Sequence, residues 1–190
     1  MKSIIFMITT MLSVGIYTHA NADTKYEIEV DPATFALNGY SMHFRFFPDG
    51  HPKLRLGAGL YSLEFPDAII DINDTNKNEG WNVNLDQGVG LFAEYFINST
   101  HKGWFAGIQL AQQNFLISND ASGTQEQKFT NMLVMPYGGY RWSLDKNLYT
   151  QAWFGLGYTE TVSGSTQLGS EEYDVDPTIP YGALHIGYSF

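Results

Sequence analysis

The sequence predicts an all-β fold, specifically an eight-stranded antiparallel up-and-down transmembrane β-barrel. Three observations predict it. Apolar and polar residues alternate with a period of two over segments of the length a tilted strand needs to cross a bilayer. One face of that alternation is almost free of charge, and the other carries glycine, alanine and a limited set of charged side chains. The connectors alternate short and long along the chain, which gathers the short turns at one end of a barrel and the long loops at the other.

The first segment reads as a leader. Lys2 gives a positive start, and Ile4 to Tyr17 is an apolar run of about fourteen residues. Ala20 to Ala22 is a small-x-small cleavage site. Residues 1–22 are therefore expected to be a cleaved signal peptide and 23–190 the barrel domain. The run is shorter than the roughly 20 residues of a spanning helix, and glycine and charge interrupt every later apolar stretch.

The strands follow in order. Tyr26, Ile28 and Val30 alternate with Glu27, Glu29 and Asp31. Tyr40, Met42, Phe44 and Phe46 alternate with Ser41, His43, Arg45 and Phe47. Leu54, Leu56, Ala58 and Leu60 face one way, and Arg55, Gly57, Gly59 and Tyr61 the other. From Asn82 to Ile97, strict alternation puts Val83, Leu85, Val89, Leu91, Ala93, Tyr95 and Ile97 outside, with Gln87 the one polar member. It puts Asn84, Asp86, Gly88, Gly90, Phe92, Glu94 and Phe96 inside. The fifth strand sets Trp104, Ala106, Ile108 and Leu110 against Phe105, Gly107, Gln109 and Ala111. In the sixth, Met132, Val134, Pro136, Tyr140 and Trp142 oppose Asn131, Leu133, Met135, Tyr137 and Arg141. In the seventh, Ala152, Phe154, Leu156 and Tyr158 oppose Gln151, Trp153, Gly155, Gly157 and Thr159. The eighth has Leu184, Ile186, Tyr188 and Phe190 outside, and Ala183, His185, Gly187 and Ser189 inside.

Short connectors at Pro48, Asn98 and Asp145 carry Asp-Gly, Asn-Ser and Asp-Lys-Asn turn chemistry. The longer ones, Pro66 to Gly80, Asn119 to Gln127 and Ser163 to Pro180, are polar and mostly acidic. A soluble up-and-down barrel would invert the polarity, with the apolar face inside. Aromatics at the short-turn strand ends (Phe44, Phe46, Tyr95, Trp104, Tyr140, Trp142, Tyr188, Phe190) favour the membrane reading, because they form an interfacial girdle.

Composition narrows function. The net charge is −10, and loss of Lys2 with the leader makes it one unit more negative, which argues against nucleic acid as a partner. Aromatic residues are 15% and charged residues only 16% of the chain. There is no cysteine, which removes thiol catalysis, thiolate metal sites and a lipoprotein anchor.

In these features the chain resembles the small eight-stranded outer-membrane β-barrels of Gram-negative bacteria, the group of the OmpA transmembrane domain, OmpX and Ail. The most specific match is the last strand. Leu184, Ile186, Tyr188 and terminal Phe190 match the assembly signal of such barrels, while His185 stands where glycine is usual. The resemblance implies a bacterial outer-membrane location. It implies outer-membrane lipid and lipopolysaccharide as surroundings, the barrel-assembly machinery as the reader of Tyr188 and Phe190, and a monomer.

The candidate site is the lumen. Glu27, Glu29, Arg45, Arg55, Asp86, Glu94, Arg141 and His185 fall on inward faces. An eight-stranded barrel is just wide enough for side chains to fill, and each charge there needs a partner. A salt-bridge network plugging the barrel is expected, with a narrow porin-like conduit or small-ligand site as the other reading. Ser41-x-His43 reverses the His-x-Ser pair of the lipid-A deacylases found among such barrels, and it is the only feature pointing to a lipid-A-modifying enzyme. No catalytic residues, no cofactor and no specific metal site are assigned. The acidic loop residues Asp67, Asp71, Asp74, Glu171, Glu172, Asp174 and Asp176 suit divalent cations only in a general way. The expected function is a non-enzymatic outer-membrane protein with a plugged polar lumen and acidic surface loops.

Overall fold

The computed structural model describes residues 24–123 and 125–190. The expected signal peptide and its cleavage site lie outside the described residues. The strands are β1 (Lys25–Val30), β2 (Tyr40–Phe47), β3 (Leu54–Glu64), β4 (Trp81–Phe96), β5 (Gly103–Asn119), β6 (Glu126–Ser143), β7 (Leu148–Gly164) and β10 (Thr178–Ser189). They close into one antiparallel barrel in the order β1-β10-β7-β6-β5-β4-β3-β2. Two residue pairs, β8 (Gln167–Leu168) and β9 (Glu171–Glu172), form a separate hairpin in the last long loop. Closure joins the two ends of the barrel domain. Tyr26 N donates to Phe190 O at 3.2 Å and Phe190 N to Tyr26 O at 2.9 Å, so the sheet has no free edge there.

The outer surface is an apolar band. Met42, Leu91, Leu110, Val134, Phe154 and Leu156 stand exposed in it, Phe154 at 63% and Leu91 at 62%. A continuous ring of large apolar side chains is far beyond the patches a water-soluble monomer tolerates, and lipid is the medium it fits. The girdle lies at the short-turn end. Trp104 packs edge-on against Tyr140 at 5.1 Å, and Tyr26 stacks between Phe44 at 5.8 Å and Phe190 at 6.2 Å. The turns there follow from their residues: Gly50 has φ +73° in the Asp-Gly turn, a conformation glycine adopts without steric cost.

A bulge in β7 between Thr161 and Ser163 shifts its register against β6 near the loop end, and two further features depart from strict alternation. The first is a β-bulge in β4 between Leu85 and Gln87. The extra residue shifts the side-chain parity, since one residue of slip moves every side chain to the other face. Beyond the bulge Trp81, Val83 and Leu85 point inward and are buried, not outward as alternation required, and Asp86 is exposed on the outside. The second is a helix the alternation gave no hint of, α1 (Pro32–Ala36), between β1 and β2. Its signals are local: the Asp31 carboxylate accepts from Ala33 N at 3.0 Å as N-cap, and Pro32 occupies the first turn. A single helical turn, α2 (Asp67–Ile70), opens the β3–β4 loop.

The strands are also longer than alternation showed. β5 reaches Asn119, β7 reaches Gly164 and β10 starts at Thr178. The long-loop half of the barrel therefore rises beyond the apolar band and holds its own core of Trp81, Val83, Leu85, Phe115, Ile117 and Phe129. Ile70 and Leu168 dip into that core from the loops.

Candidate functional site in the barrel lumen

The lumen is layered. At the short-turn end Phe47, Phe96 and Phe105 form an aromatic floor, with the His101 ring edge-on to Phe47 at 4.1 Å. His101 lies in the β4–β5 turn, where burial, and then nearby Lys25, holds its imidazole below the ordinary histidine range.

The ionic layer lies above the floor. Alternation places Glu27 and Glu29 on β1, Arg45 on β2, Arg55 on β3, Glu94 on β4, Arg141 on β6 and His185 on β10, all on inward faces, and all are buried. Arg55 is the hub, at 0% exposure. Its Nη1 donates to Glu27 Oε2 at 2.9 Å and to Glu29 Oε1 at 2.6 Å, its Nη2 to Gln151 Oε1 at 2.6 Å, and its Nε to Glu94 Oε2. Arg141 forks onto Glu27, at 3.0 Å to Oε2 and 2.6 Å to Oε1. Arg45 Nε donates to Glu29 Oε2 at 3.2 Å. Three guanidiniums thus meet three carboxylates across the lumen, so the layer balances its charge. Aromatic faces flank the cations, with Arg141 3.4 Å from the centre of the Tyr149 ring and Arg45 3.9 Å from that of Phe92.

His185 borders this layer. Trp153 Nε1 donates to its Nε2 at 3.2 Å, so that nitrogen must carry the lone pair. The proton then sits on Nδ1, 3.3 Å from Glu29 Oε2. The ring stacks on His43 at 4.9 Å.

Seven of the eight residues expected in the lumen therefore come together in one connected cluster or at its border. Asp86 does not, because the β4 bulge turns it outward. The cluster also contains residues not singled out from sequence. Tyr149 donates to Glu27 and Glu29 from one hydroxyl, at 3.0 and 2.9 Å, and Tyr137 donates to Glu94 Oε1 at 2.7 Å. Ser189 donates to Glu27 Oε1 at 2.7 Å, and Gln151 is bonded to Arg55. Their signal was available: Tyr149 and Gln151 share parity on β7, and Tyr137 shares it with Arg141 on β6. Glycines on neighbouring strands make the room. A Cβ on Gly57 would lie inside contact distance of Arg45 Cδ, and one on Gly187 inside that of the Tyr149 ring.

The Ser41–His43 pair is not arranged for nucleophilic attack. The Ser41 hydroxyl accepts from Asp31 N and donates toward Asp31 O at 3.4 Å, so it holds the start of α1. His43 lies among the rings of His185, Tyr61 and Phe92. Among the described residues no group of three or more His, Asp or Glu converges as a metal site.

Above the ionic layer a cavity of about 200 Å³ separates it from the loop-end core. The loops close over that core as a tied cap. Asn76 Nδ2 donates to Asp174 O at 2.8 Å, and Asp174 N donates to Asn76 Oδ1 at 3.0 Å. Asn73 Nδ2 donates to Asp174 O at 3.1 Å. Tyr173 packs edge-on to Trp81 at 5.5 Å, and burial, aided by Asp174, pushes its phenol up to about 12.

No family model matches the chain, and no curated protein matches its sequence. Among solved structures, the chain is similar to the N-terminal β-barrel domain of Pseudomonas aeruginosa OprF. The TM-score is 0.47 at 15% identity, over 87% of this chain and 97% of that one. It is also similar to Neisserial surface protein A, NspA, at TM-score 0.40 and 13% identity, over 87% of this chain and 94% of that one. The closed ladder itself establishes the architecture that the likeness to the OmpA, OmpX and Ail group led one to expect: an eight-stranded antiparallel transmembrane β-barrel.

Proposed function

We propose that this chain is a non-enzymatic protein of the bacterial outer membrane. The barrel is a closed, rigid anchor, and the tied cap of the 66–80 and 165–177 loops is the surface it offers to lipopolysaccharide, to other cells or to the environment. The observation that carries the reading is the lumen: Arg45, Arg55 and Arg141 are locked onto Glu27, Glu29 and Glu94 across its width, with aromatic rings beneath. Ions so paired cannot be displaced cheaply by a passing solute. In this reading Tyr188 and Phe190, exposed in the girdle, are what the assembly machinery recognises, and the protein works as a monomer.

Single-channel recording in planar bilayers tests the closure. Flat traces are expected, and resolved conductance steps would overturn it. Lipid A mass spectra from cells carrying the wild type, Ser41→Ala or His43→Ala should be identical. A wild-type-specific change in acylation would restore the enzyme reading. Deleting 167–172, the loop hairpin, and asking which surface molecule the variant stops binding identifies the cap's partner.

A further inference from the structure

The barrel wall is complete over only part of its height. The β1–β10 ladder runs from Glu27↔Ser189 to Val30↔Ile186 and stops, and β1–β2 stops at Glu29↔His43. β10 continues to Thr178 paired only with β7, and β2 continues to Tyr40 paired only with β3. The place a longer β1 would fill is taken by α1. Its segment is tied to β2 and β3: Asp31 N donates to Ser41 Oγ, Gly39 N to Thr34 O at 2.8 Å, and Glu64 N to Leu37 O at 2.9 Å. Toward β10 it makes packing contacts. Pro180 on the open edge has no N–H to offer a ladder.

The 200 Å³ cavity lies behind this seam. It is lined by inward side chains and also by Pro180, Gly182 and Ala33, which are exposed on the outer surface. One cavity touching both faces of the wall opens through it. Pro180 and Gly182 stand opposite Leu156 and Phe154, both in the apolar band, so the opening meets lipid chains and not water.

The interior has a matching chemistry. Leu85, Leu133 and Met135 give apolar walls, in a volume somewhat above the roughly 150 Å³ in which an apolar cavity holds benzene, room for roughly the last seven carbons of a chain. One polar patch interrupts them. The Tyr61 hydroxyl accepts from Gln109 Nε2 at 3.0 Å and from Gln113 Nε2 at 3.2 Å, which leaves its own proton to donate. Gln113 is 2% exposed, and its Oε1 accepts no hydrogen bond of good geometry, although the Tyr181 hydroxyl lies nearby. Turning the Gln113 amide over lets the Tyr61 hydroxyl donate to its oxygen, so the patch is satisfied within itself. The Asp31 carboxylate at the α1 end of the cavity disfavours an anionic head group inside.

We propose that the cavity is a binding site for the end of a single linear acyl chain, which enters tail-first from the membrane through the seam between α1 and β10. The site does not depend on the cap or on the ion network being a plug.

Trp153 lines the cavity and reports on it. Trp81, Trp104 and Trp142 are changed to Phe, and the full barrel folded in detergent is titrated with 9,10-dibromostearic acid. The expected result is saturable quenching that excess tetradecanoic acid displaces. Ala183→Phe, which fills the mouth, should weaken quenching about tenfold. Leu133→Phe, which fills the cavity from β6, should do the same, and it holds the test even if Ala183→Phe does not fold. Vesicles of dibrominated phosphatidylcholine distinguish the source. Quenching there means the chain belongs to a membrane lipid, and quenching by the free acid alone means a free fatty acid. Linear, unsaturable quenching unchanged by Ala183→Phe and by Leu133→Phe overturns the site.

Discussion

Replacing Arg55 by Met should be the most damaging single change in the lumen. The side chain is fully buried and donates to Glu27, Glu29, Glu94 and Gln151. The remaining partners are unequal. Glu27 keeps the Arg141 fork and Ser189, and Glu29 keeps Arg45 Nε at 3.2 Å. Glu94 keeps the Tyr137 hydroxyl, with Arg45 Nη1 no nearer than 3.9 Å. One carboxylate is thus left nearly without a cation in a water-poor interior, the situation that costs about 3–5 kcal/mol when a buried pair is broken. With a urea dependence of about 2 kcal/mol per M, the unfolding midpoint should fall by about 1.5–2.5 M. Loss of the heat-modifiable gel shift and tryptophan emission both follow it. Arg55→Lys, which keeps the charge but not the planar fork, should fall between wild type and Met. Adding Glu94→Gln to Arg55→Met should recover part of the loss, because the stranded charge is gone. A midpoint shift below about 0.5 M for Arg55→Met, or no recovery in the double variant, would refute the view of interlocked ions holding the barrel together.

Three further outcomes are expected. Gly187→Val should cost at least about 1–3 kcal/mol in the same urea assay, since its Cβ meets the Tyr149 ring and Tyr149 cannot move without releasing Glu27 and Glu29. Asn76→Ala should cost about 1–3 kcal/mol locally by leaving Asp174 N without its acceptor; limited proteolysis of folded barrels should then nick the 66–80 loop while the gel shift survives. The cap should loosen at alkaline pH. Below pH 10 the Tyr173 phenol is protonated whether the cap is closed or open, but between 10 and about 12 only the open form ionises, so stability falls as pH rises through that window. Trp81 emission, with Tyr173 against its ring, reads the change.

The parts of the fold set by period two were legible in the sequence, and the parts set by a change of parity were not. Glu27, Arg45, Arg55, Glu94 and Arg141 could be assigned inward because each sits in an unbroken run whose opposite face is apolar. That pattern also implies that they meet, because a barrel this narrow leaves inward charges nowhere else to go. Tyr149 was legible in principle, but an aromatic one turn from the interface looks like girdle until its parity is counted against Gln151. In β4 the reading broke at Asp86. Val83 and Leu85 are as apolar as Val89 and Leu91, so composition does not show which pair faces in. Only the neighbours decide: Phe115, Ile117 and Phe129 come inward at the same height, and Trp81, Val83 and Leu85 must join them or leave a void.

That bulge and the short β1 together explain why the lumen is not uniformly polar. A strictly alternating β4 would have carried Asn82, Asn84 and Asp86 into the upper barrel and continued the polar, charged character of the lower half. One extra residue instead turns three apolar side chains inward, and the upper half becomes a dry core that the loops can close. A dry core above and a charge-balanced layer below leave an apolar space between them with no solvent route along the axis. Any molecule reaching that space must come through the wall. The wall is weakest where β1 ends at Val30 and α1, a helix of one turn, replaces a hydrogen-bonded strand. The Asp31-Pro32 cap that ends β1 is therefore as consequential as any charged residue in the lumen: it converts a closed sheet edge into a seam held by packing, at a height where the neighbouring surface is in lipid.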